Sequence, residues 1–257
     1  MAKYLDGIVA AHRAAAAEDE RSLDDLLARA QEQPPTRGFA AALTGGSTLA
    51  VISEIKRRSP SKGDLFPDLV PEDLAAAYEA GGAACLSVLT DEAFFGGSID
   101  DLQRARSACS LPVLRKDFTV DARDVVDARL MGADAVLLIV AALSDDELRR
   151  FHALARDLGL DALVEVHDAA ELDRAVAAGA SLIGVNQRDL TTFDVDRELA
   201  AKLRPSMPDG AVTVAESGVR DRADAEALAA AGYDAVLVGE SLVTSADPAA
   251  ALQELRV

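Results

Sequence analysis

Tryptophan is absent from this 257-residue chain, cysteine occurs twice and histidine three times. Cys85 and Cys109 form no CxxC pair, which excludes a dithiol redox motif and a thiolate zinc site. His12, His152 and His167 fall at no ligand spacing such as HExxH. His12 and His152 lie in predicted helices and are expected to be solvated. On that ligand count no metal is expected. There is no apolar run long enough to span a bilayer and no N-terminal signal pattern. A reduced, cytoplasmic enzyme or binding protein is therefore expected. Positive charge is also short: 26 Lys plus Arg against 44 Asp plus Glu leave a formal net charge of −18. Such a surface repels nucleic acid and anionic lipid. The expected partner is a small molecule, with no nucleic acid and no membrane. An anionic ligand would need a local positive site working against the global field.

Lysine is scarce within that basic minority, present only as Lys3, Lys56, Lys62, Lys116 and Lys202. Lys56, Lys62 and Lys116 fall at or just after the ends of predicted strands. Arginine cannot replace an amine that must titrate or reach one atom as a point charge. Their placement marks these lysines as candidates for chemistry.

What the chain does have is a repeat. Apolar segments of strand length occur at 49–55, 83–89, 111–114, 135–140, 162–166, 182–185, 212–215 and 235–238. Stretches of helical period lie between them, at 71–80, 121–131, 144–158, 169–178 and 220–231. Ser144 with Glu147 reads as a capping-box start, and Pro71 and Pro248 suit first-turn helical positions. Several helices run through Gly directly into a buried strand, as at Gly132-Ala133-Asp134 and Gly232-Tyr233-Asp234. Strict alternation with eight apolar strands predicts an α/β protein, a single (β/α)8 TIM barrel over residues 46–257. A doubly wound open sheet is the alternative, but no GxGxxG follows the first strand. Residues 1–45 form an N-terminal helical extension with helices predicted at 4–17 and 22–30. It would either plug the bottom of the barrel or cover its mouth, and spacing alone does not choose.

Barrel chemistry sits at the C-terminal strand ends. Glu54 and Lys56 are two residues apart and share the face of Ala50 and Ile52 at the end of the first strand. Lys116 keeps the inward parity of Leu114, Glu165 that of Leu163, and Glu216 that of Val212 and Val214. Asn186 ends the sixth strand, and Arg188 follows it. Carboxylates, amines and an amide thus converge on one rim. Polar groups facing a barrel mouth are costly unless paired or used, and at close range they separate each other's pKa values. Gly218 and Gly239 follow strands seven and eight, where barrels often bind phosphate through backbone N–H groups. A bulky residue at Gly239 should then raise KM more than it lowers kcat. Ser59 and Lys62 in the first loop would complete such an anion site. Phe94, Phe95 and Phe118 lie in loops at the same end and would line an aromatic pocket.

These residues lie in motifs that resemble those of the indole-3-glycerol phosphate synthase family. The motifs are Ser-Glu-Ile-Lys-Arg-Arg-Ser-Pro-Ser-Lys-Gly at 53–63, Phe-Phe-Gly-Gly-Ser at 94–98, Leu-Arg-Lys-Asp-Phe at 114–118, Leu-Val-Glu-Val-His at 163–167, Gly-Val-Asn-Gln-Arg-Asp-Leu at 184–190, Ala-Glu-Ser-Gly-Val at 215–219 and Val-Gly-Glu-Ser-Leu at 238–242. They span nearly the whole chain. The resemblance implies a carboxy-lyase of tryptophan biosynthesis that needs no cofactor. It would convert 1-(2-carboxyphenylamino)-1-deoxyribulose 5-phosphate, a phosphosugar-anthranilate, into indole-3-glycerol phosphate, carbon dioxide and water. It further implies Lys116 as general acid and Glu165 as acid or base in dehydration. Glu54, paired with Lys116, and Asn186 would orient that lysine and the hydroxyls. Lys56 would meet the substrate carboxylate or phosphate, and Glu216 and Ser217 would hold the anthranilate end. Gly218, Gly239 and neighbouring backbone would bind phosphate, and the extension would cover the mouth. A monomer is expected. Two residues depart from the family pattern. Gln187 stands where Asn or a small residue is usual, and Glu240 stands where Ser is common, so Glu240 is expected to point away from phosphate.

Three rival readings share parts of this pattern. Phosphoribosylanthranilate isomerase has the same phosphate corner but works with a Cys and an Asp. A Schiff-base aldolase would use Lys116 as nucleophile. A non-catalytic phosphosugar-binding barrel would not turn over.

Overall fold

A computed structural model describes residues 4–59, 62–190 and 192–257. Three helices lead: α1 (Tyr4–Glu18), α2 (Leu23–Gln31) and the single turn α3 (Phe39–Ala42). Strands and helices then alternate as β1 (Ala50–Ile55), α4 (Pro71–Gly81), β2 (Cys85–Leu89), α5 (Glu92–Phe95), α6 (Ile99–Ala108), β3 (Val113–Lys116), α7 (Ala122–Met131), β4 (Ala135–Ile139) and α8 (Asp145–Asp157). The second half holds β5 (Asp161–Val166), α9 (Ala169–Ala177), β6 (Leu182–Asn186), α10 (Leu199–Leu203), β7 (Val212–Glu216), α11 (Arg222–Ala230), β8 (Ala235–Val238), α12 (Glu240–Val243) and α13 (Pro248–Leu255). The eight strands pair in parallel with their chain neighbours, and β8 closes on β1 with Ala50 opposite Ala235. A short antiparallel pair, Arg58–Ser59 with Gly63–Asp64, projects from the loop after β1.

Strand alternation divides the apolar residues into two cores. One fills the barrel, with Ile52, Cys85, Leu114, Leu137, Leu163, Val214 and Leu237. The other lies between barrel and helices, with Val51, Leu86, Val136, Val164 and Val236 among its members. Ile52, Leu114, Leu163 and Val214, the inward residues before Glu54, Lys116, Glu165 and Glu216, belong to the first set, so these polar ends extend the interior layers upward. Helix starts are capped as their sequences dictate. Ser144 and Glu147 make a reciprocal capping box on α8, and Asp121 with Asp124 makes another on α7.

The N-terminal extension serves both ends of the barrel. At the bottom, α3 inserts Phe39 and Leu43 into the barrel-interior core, both buried. The Ala40 N–H donates to Asp161 Oδ2 at 2.8 Å, and the Arg37 N–H to the buried Asp134 Oδ1 at 2.7 Å. α2 packs on the side against α7. α1 crosses the mouth, where Leu5 and Ile8 join the lining of the central cavity. Plug and cover were alternatives in the sequence, and the chain builds both.

Candidate active site

The C-terminal mouth opens on a cavity of about 550 Å³. Glu54, Lys56, Ser59, Phe95, Lys116, Phe118, Glu165, Asn186, Arg188, Glu216, Ser217, Gly218, Gly239 and Glu240 all line it, as does Lys62. The polar wall comes from β1, β3, β5, β6 and β7. Leu89, Leu137, Ile139 and Leu237, from β2, β4 and β8, supply apolar surface.

Lys116 is the centre of the polar wall. Its Nζ lies 3.4 Å from Glu165 Oε2 and 3.7 Å from Glu216 Oε2. Glu54 does not pair with it, contrary to expectation, but forms an ion pair with Lys56. The reason is local: a two-residue spacing on one strand sets Glu54 beside Lys56, whereas Lys116 reaches past β4 toward β5 and β7. Asn186 joins the two sides. Its Nδ2 donates to Glu165 Oε1 at 3.2 Å, and its Oδ1 accepts from Ser217 Oγ at 2.8 Å and the Arg188 N–H at 3.1 Å. Ser217 has φ 63°, a left-handed backbone rare outside glycine, and this conformation carries the hydroxyl that reaches Asn186.

The charges then sort themselves. Burial pushes both Glu165 and Glu216 up, but Glu165 is brought well below the usual carboxylate range by Lys116, His167 and Asn186. Glu216, beside an already ionised Glu165, is pushed up to about 8. Lys116 is disfavoured as a cation by burial, yet Glu165, Glu216 and Glu54 raise it above its ordinary value. Glu54 is pushed up by burial but lowered overall by Lys56 and Lys116. Near neutral pH the site therefore holds an ammonium, ionised Glu54 and Glu165, and a largely protonated Glu216.

Two glycines make this geometry possible. A Cβ on Gly184 would run into the Glu216 carboxylate and come within 3.2 Å of Leu163 Cδ1. A Cβ on Gly239 would strike the carboxylate of Glu54. A larger residue at Gly239 would thus disturb the Glu54–Lys56 pair as well as any anion site, so an effect confined to KM is no longer expected.

The aromatic end is built around Asp91. Its Oδ1 caps α5 by accepting from the N–H groups of Phe94 and Phe95 at 2.6 and 3.2 Å, and its Oδ2 meets His12 Nε2 at 2.9 Å. The His12 ring lies on Phe118 at 5.4 Å between centroids, and Phe118 lies 6.3 Å from Phe95. His12 is thus part of the mouth and not a solvated helix residue. His152 is partly buried as well. His12, Asp91 and Asp117 converge closely enough to suggest ligands for a cation. Their oxygens are already committed, however, since Asp117 takes Thr90, Arg115 and the Phe118 N–H. At the opposite end, Ser59 Oγ is buried with no hydrogen-bond partner among the described residues. Lys62 Nζ lies 3.4 Å from Glu240 Oε1, so Glu240 lines the cavity with its charge offset. Arg197, which donates to the Gly218 carbonyl at 3.1 Å, and Arg220 also line the cavity. Sequence reading missed both, because they follow the strand ends in irregular loops.

A family model described as indole-3-glycerol phosphate synthase matches residues 5–255. The chain belongs to the indole-3-glycerol phosphate synthase family. It is 53% identical over 260 residues to indole-3-glycerol phosphate synthase 2 of Streptomyces coelicolor, covering 99% of each chain. It is 50% identical over 256 residues to the indole-3-glycerol phosphate synthase of Mycolicibacterium vanbaalenii, covering 99% of this chain and 94% of the relative. Among solved structures, a thiamine phosphate pyrophosphorylase from Pyrococcus furiosus superimposes with a TM-score of 0.62 at 19% identity. It covers 80% of this chain and 93% of its own, and at that identity it speaks for the barrel fold alone. Within the synthase pattern, Gln187 is buried and donates to the Ser217 carbonyl at 2.8 Å, tying the sixth loop to the end of β7.

Proposed function

We propose how this chain's residues divide the work of ring closure, decarboxylation and dehydration that yields indole-3-glycerol phosphate. The reaction itself is that of the family. The observation that carries the proposal is the placement of Lys116, with its amine 3.4 Å from Glu165 and 3.7 Å from Glu216 in the wall of the cavity at the barrel mouth. As the aniline ring carbon attacks the ribulose carbonyl, its oxygen gains negative charge. Lys116 stands ready to stabilise that oxygen and give it a proton. The carboxylate then leaves as carbon dioxide, and its bonding electrons restore the aromatic ring. Loss of the hydroxyl as water needs an acid and a base, a task for Glu165 with Lys56 nearby. Asn186 and Glu54 hold these groups in register. Glu216 and Ser217 meet the anthranilate end, while Phe95 and Phe118 contact its ring. Phosphate belongs at Gly218 and Gly239, with Ser59 and Arg188 beside it and the first turn of α12 below.

The proposed chemistry needs only groups of one chain and a small-molecule substrate, and action as a monomer is part of this reading. Free Cys85 and Cys109 suit a reducing, cytoplasmic setting. The test is turnover of 1-(2-carboxyphenylamino)-1-deoxyribulose 5-phosphate, followed by indole fluorescence, before and after dialysis against a chelator. We expect the same turnover in both. No turnover would refute the reading, and a loss restored by one divalent ion would refute its metal-free chemistry. A Schiff-base role for Lys116 is disfavoured by its carboxylate neighbours, which keep it protonated and non-nucleophilic. Borohydride with the keto substrate should trap nothing.

A further inference from the structure

His167 lies one residue beyond β5, on the face of Leu163 and Glu165. Both its ring nitrogens face carboxylates. Nδ1 is 3.0 Å from Glu171 Oε2, and Nε2 is 3.2 Å from Glu165 Oε1, close but out of line for a good hydrogen bond. The His167 N–H also donates to Glu171 Oε2 at 2.9 Å, so the ring is fixed to the start of α9. A neutral imidazole has one N–H and one lone pair. Between two carboxylates it would have to point that lone pair at one of them. The imidazolium suffers no such clash. The two acids opposite it are also unequal. Glu165 is gripped on both oxygens, by Lys116 on Oε2 and by Asn186 and His167 on Oε1. Glu216 Oε1 has no hydrogen-bond partner among the described residues.

We propose that His167 is a positioning residue. As an imidazolium clamped between Glu165 and Glu171, it holds Glu165 ionised and so leaves the single proton of the Glu165–Glu216 pair on Glu216. Glu216 thereby becomes the proton reserve of the site, and Glu165 remains a base and a partner for Lys116. The charges facing Glu165 are Lys116 from β3, Glu54 from β1, Glu216 from β7 and His167 itself, with neutral Asn186 from β6. Those facing His167 are Glu165 and Glu171, and its charge also reaches Glu216, a weaker pull than the opposing effect of Glu165 on that carboxyl. Burial alone would lower His167, but the two carboxylates push it up to about 10. This inference rests on the roles proposed above for Lys116 and Glu165.

Two measurements on the intact protein test it. With only three histidines, long-range ¹H–¹⁵N spectra of the wild type resolve each imidazole. His12→Gln and His152→Gln assign His167 by elimination. His167 should remain an imidazolium from pH 5 to pH 8. A midpoint near the ordinary value of about 6.5 would overturn the proposal. Because that titration needs no turnover, an inactive wild type would sink the mechanistic reading without deciding this one. In the pH profile of kcat/KM, His167→Gln should move the acidic limb up by about one to two units. The loss should be greatest toward acid and shrink as pH rises, with KM changed by less than about threefold. A loss equal at every pH would show a merely structural role and overturn the proposal. Should His167→Gln fail to fold, Glu171→Gln removes the second clamp and should move the same limb in the opposite sense, downward, because His167 then gives its charge to Glu165 alone. An unmoved limb there would count against the proposal.

Discussion

Lys116 and Glu165 meet at 3.4 Å although they come from strands separated by β4. Between them β4 contributes only the apolar Leu137 and Ile139 to the cavity. The ion pair therefore spans an apolar gap, where charges attract strongly and rearrange little. Such an arrangement costs stability unless each charge is compensated, and here Glu216, Asn186 and His167 complete the compensation.

The close approach at Gly239 yields the first prediction. Gly239→Ala places a methyl against the Glu54 carboxylate and must shift the Glu54–Lys56 pair. Displacements of this size cost about 10- to 100-fold in rate. Steady-state kinetics should therefore show kcat falling together with a rise in KM. A change in KM alone would mean that Glu54 yields freely and that Gly239 serves only the anion site.

A second prediction concerns the cover. Asp91 raises His12 above its ordinary value despite the opposing effect of burial, with Asp117 and Asp124 adding to the attraction. A histidine raised on folding contributes stability below its unfolded pKa and loses it as pH rises through the folded value. Docking of α1 should therefore weaken toward alkaline pH, and KM should rise there. His12→Ala should raise KM about three- to tenfold near neutral pH and flatten that rise. A KM that climbs identically in wild type and variant would separate the effect from His12.

The plug behaves differently. Phe39 is buried at the end of the barrel away from the chemistry. Phe39→Ala should cost about 3–5 kcal/mol in urea denaturation and leave kcat at a permissive temperature nearly unchanged. A large fall in kcat with native-like stability would tie the bottom of the barrel to catalysis.

Much of this architecture was legible in the sequence for a simple reason: side chains on a strand alternate. That parity took Glu54, Lys116, Glu165 and Glu216 into the same rim, and each lines the cavity. It does not say which groups then pair. The partners of Lys116 depend on barrel closure and on how far a lysine reaches, so a Glu54 partner was expected and Glu165 with Glu216 was found. The destination of α3 was hidden, because an apolar stripe asks for burial without naming a surface, and only the family resemblance pointed α1 to the mouth. Helix α6 escaped detection because its buried face of Asp101, Leu102 and Ala105 includes a carboxylate, which Arg57 compensates and which interrupts the apolar period. His167 carried the same signal as Lys56, a polar residue two places beyond an inward carboxylate. It reads as an unpaired ligand unless Glu165 and Glu171 are seen on either side of it.

The most direct test of the account is the kinetics of Lys116→Met. Methionine keeps much of the length and removes the charge. An interaction that matters only as the oxygen becomes anionic should appear in kcat and not in substrate affinity. We expect kcat to fall by about two to four orders of magnitude, with KM within about threefold of wild type and poor rescue by Lys116→Arg. A Lys116→Met enzyme that kept more than about a tenth of the wild-type kcat would contradict the assignment and move the acid to Lys56.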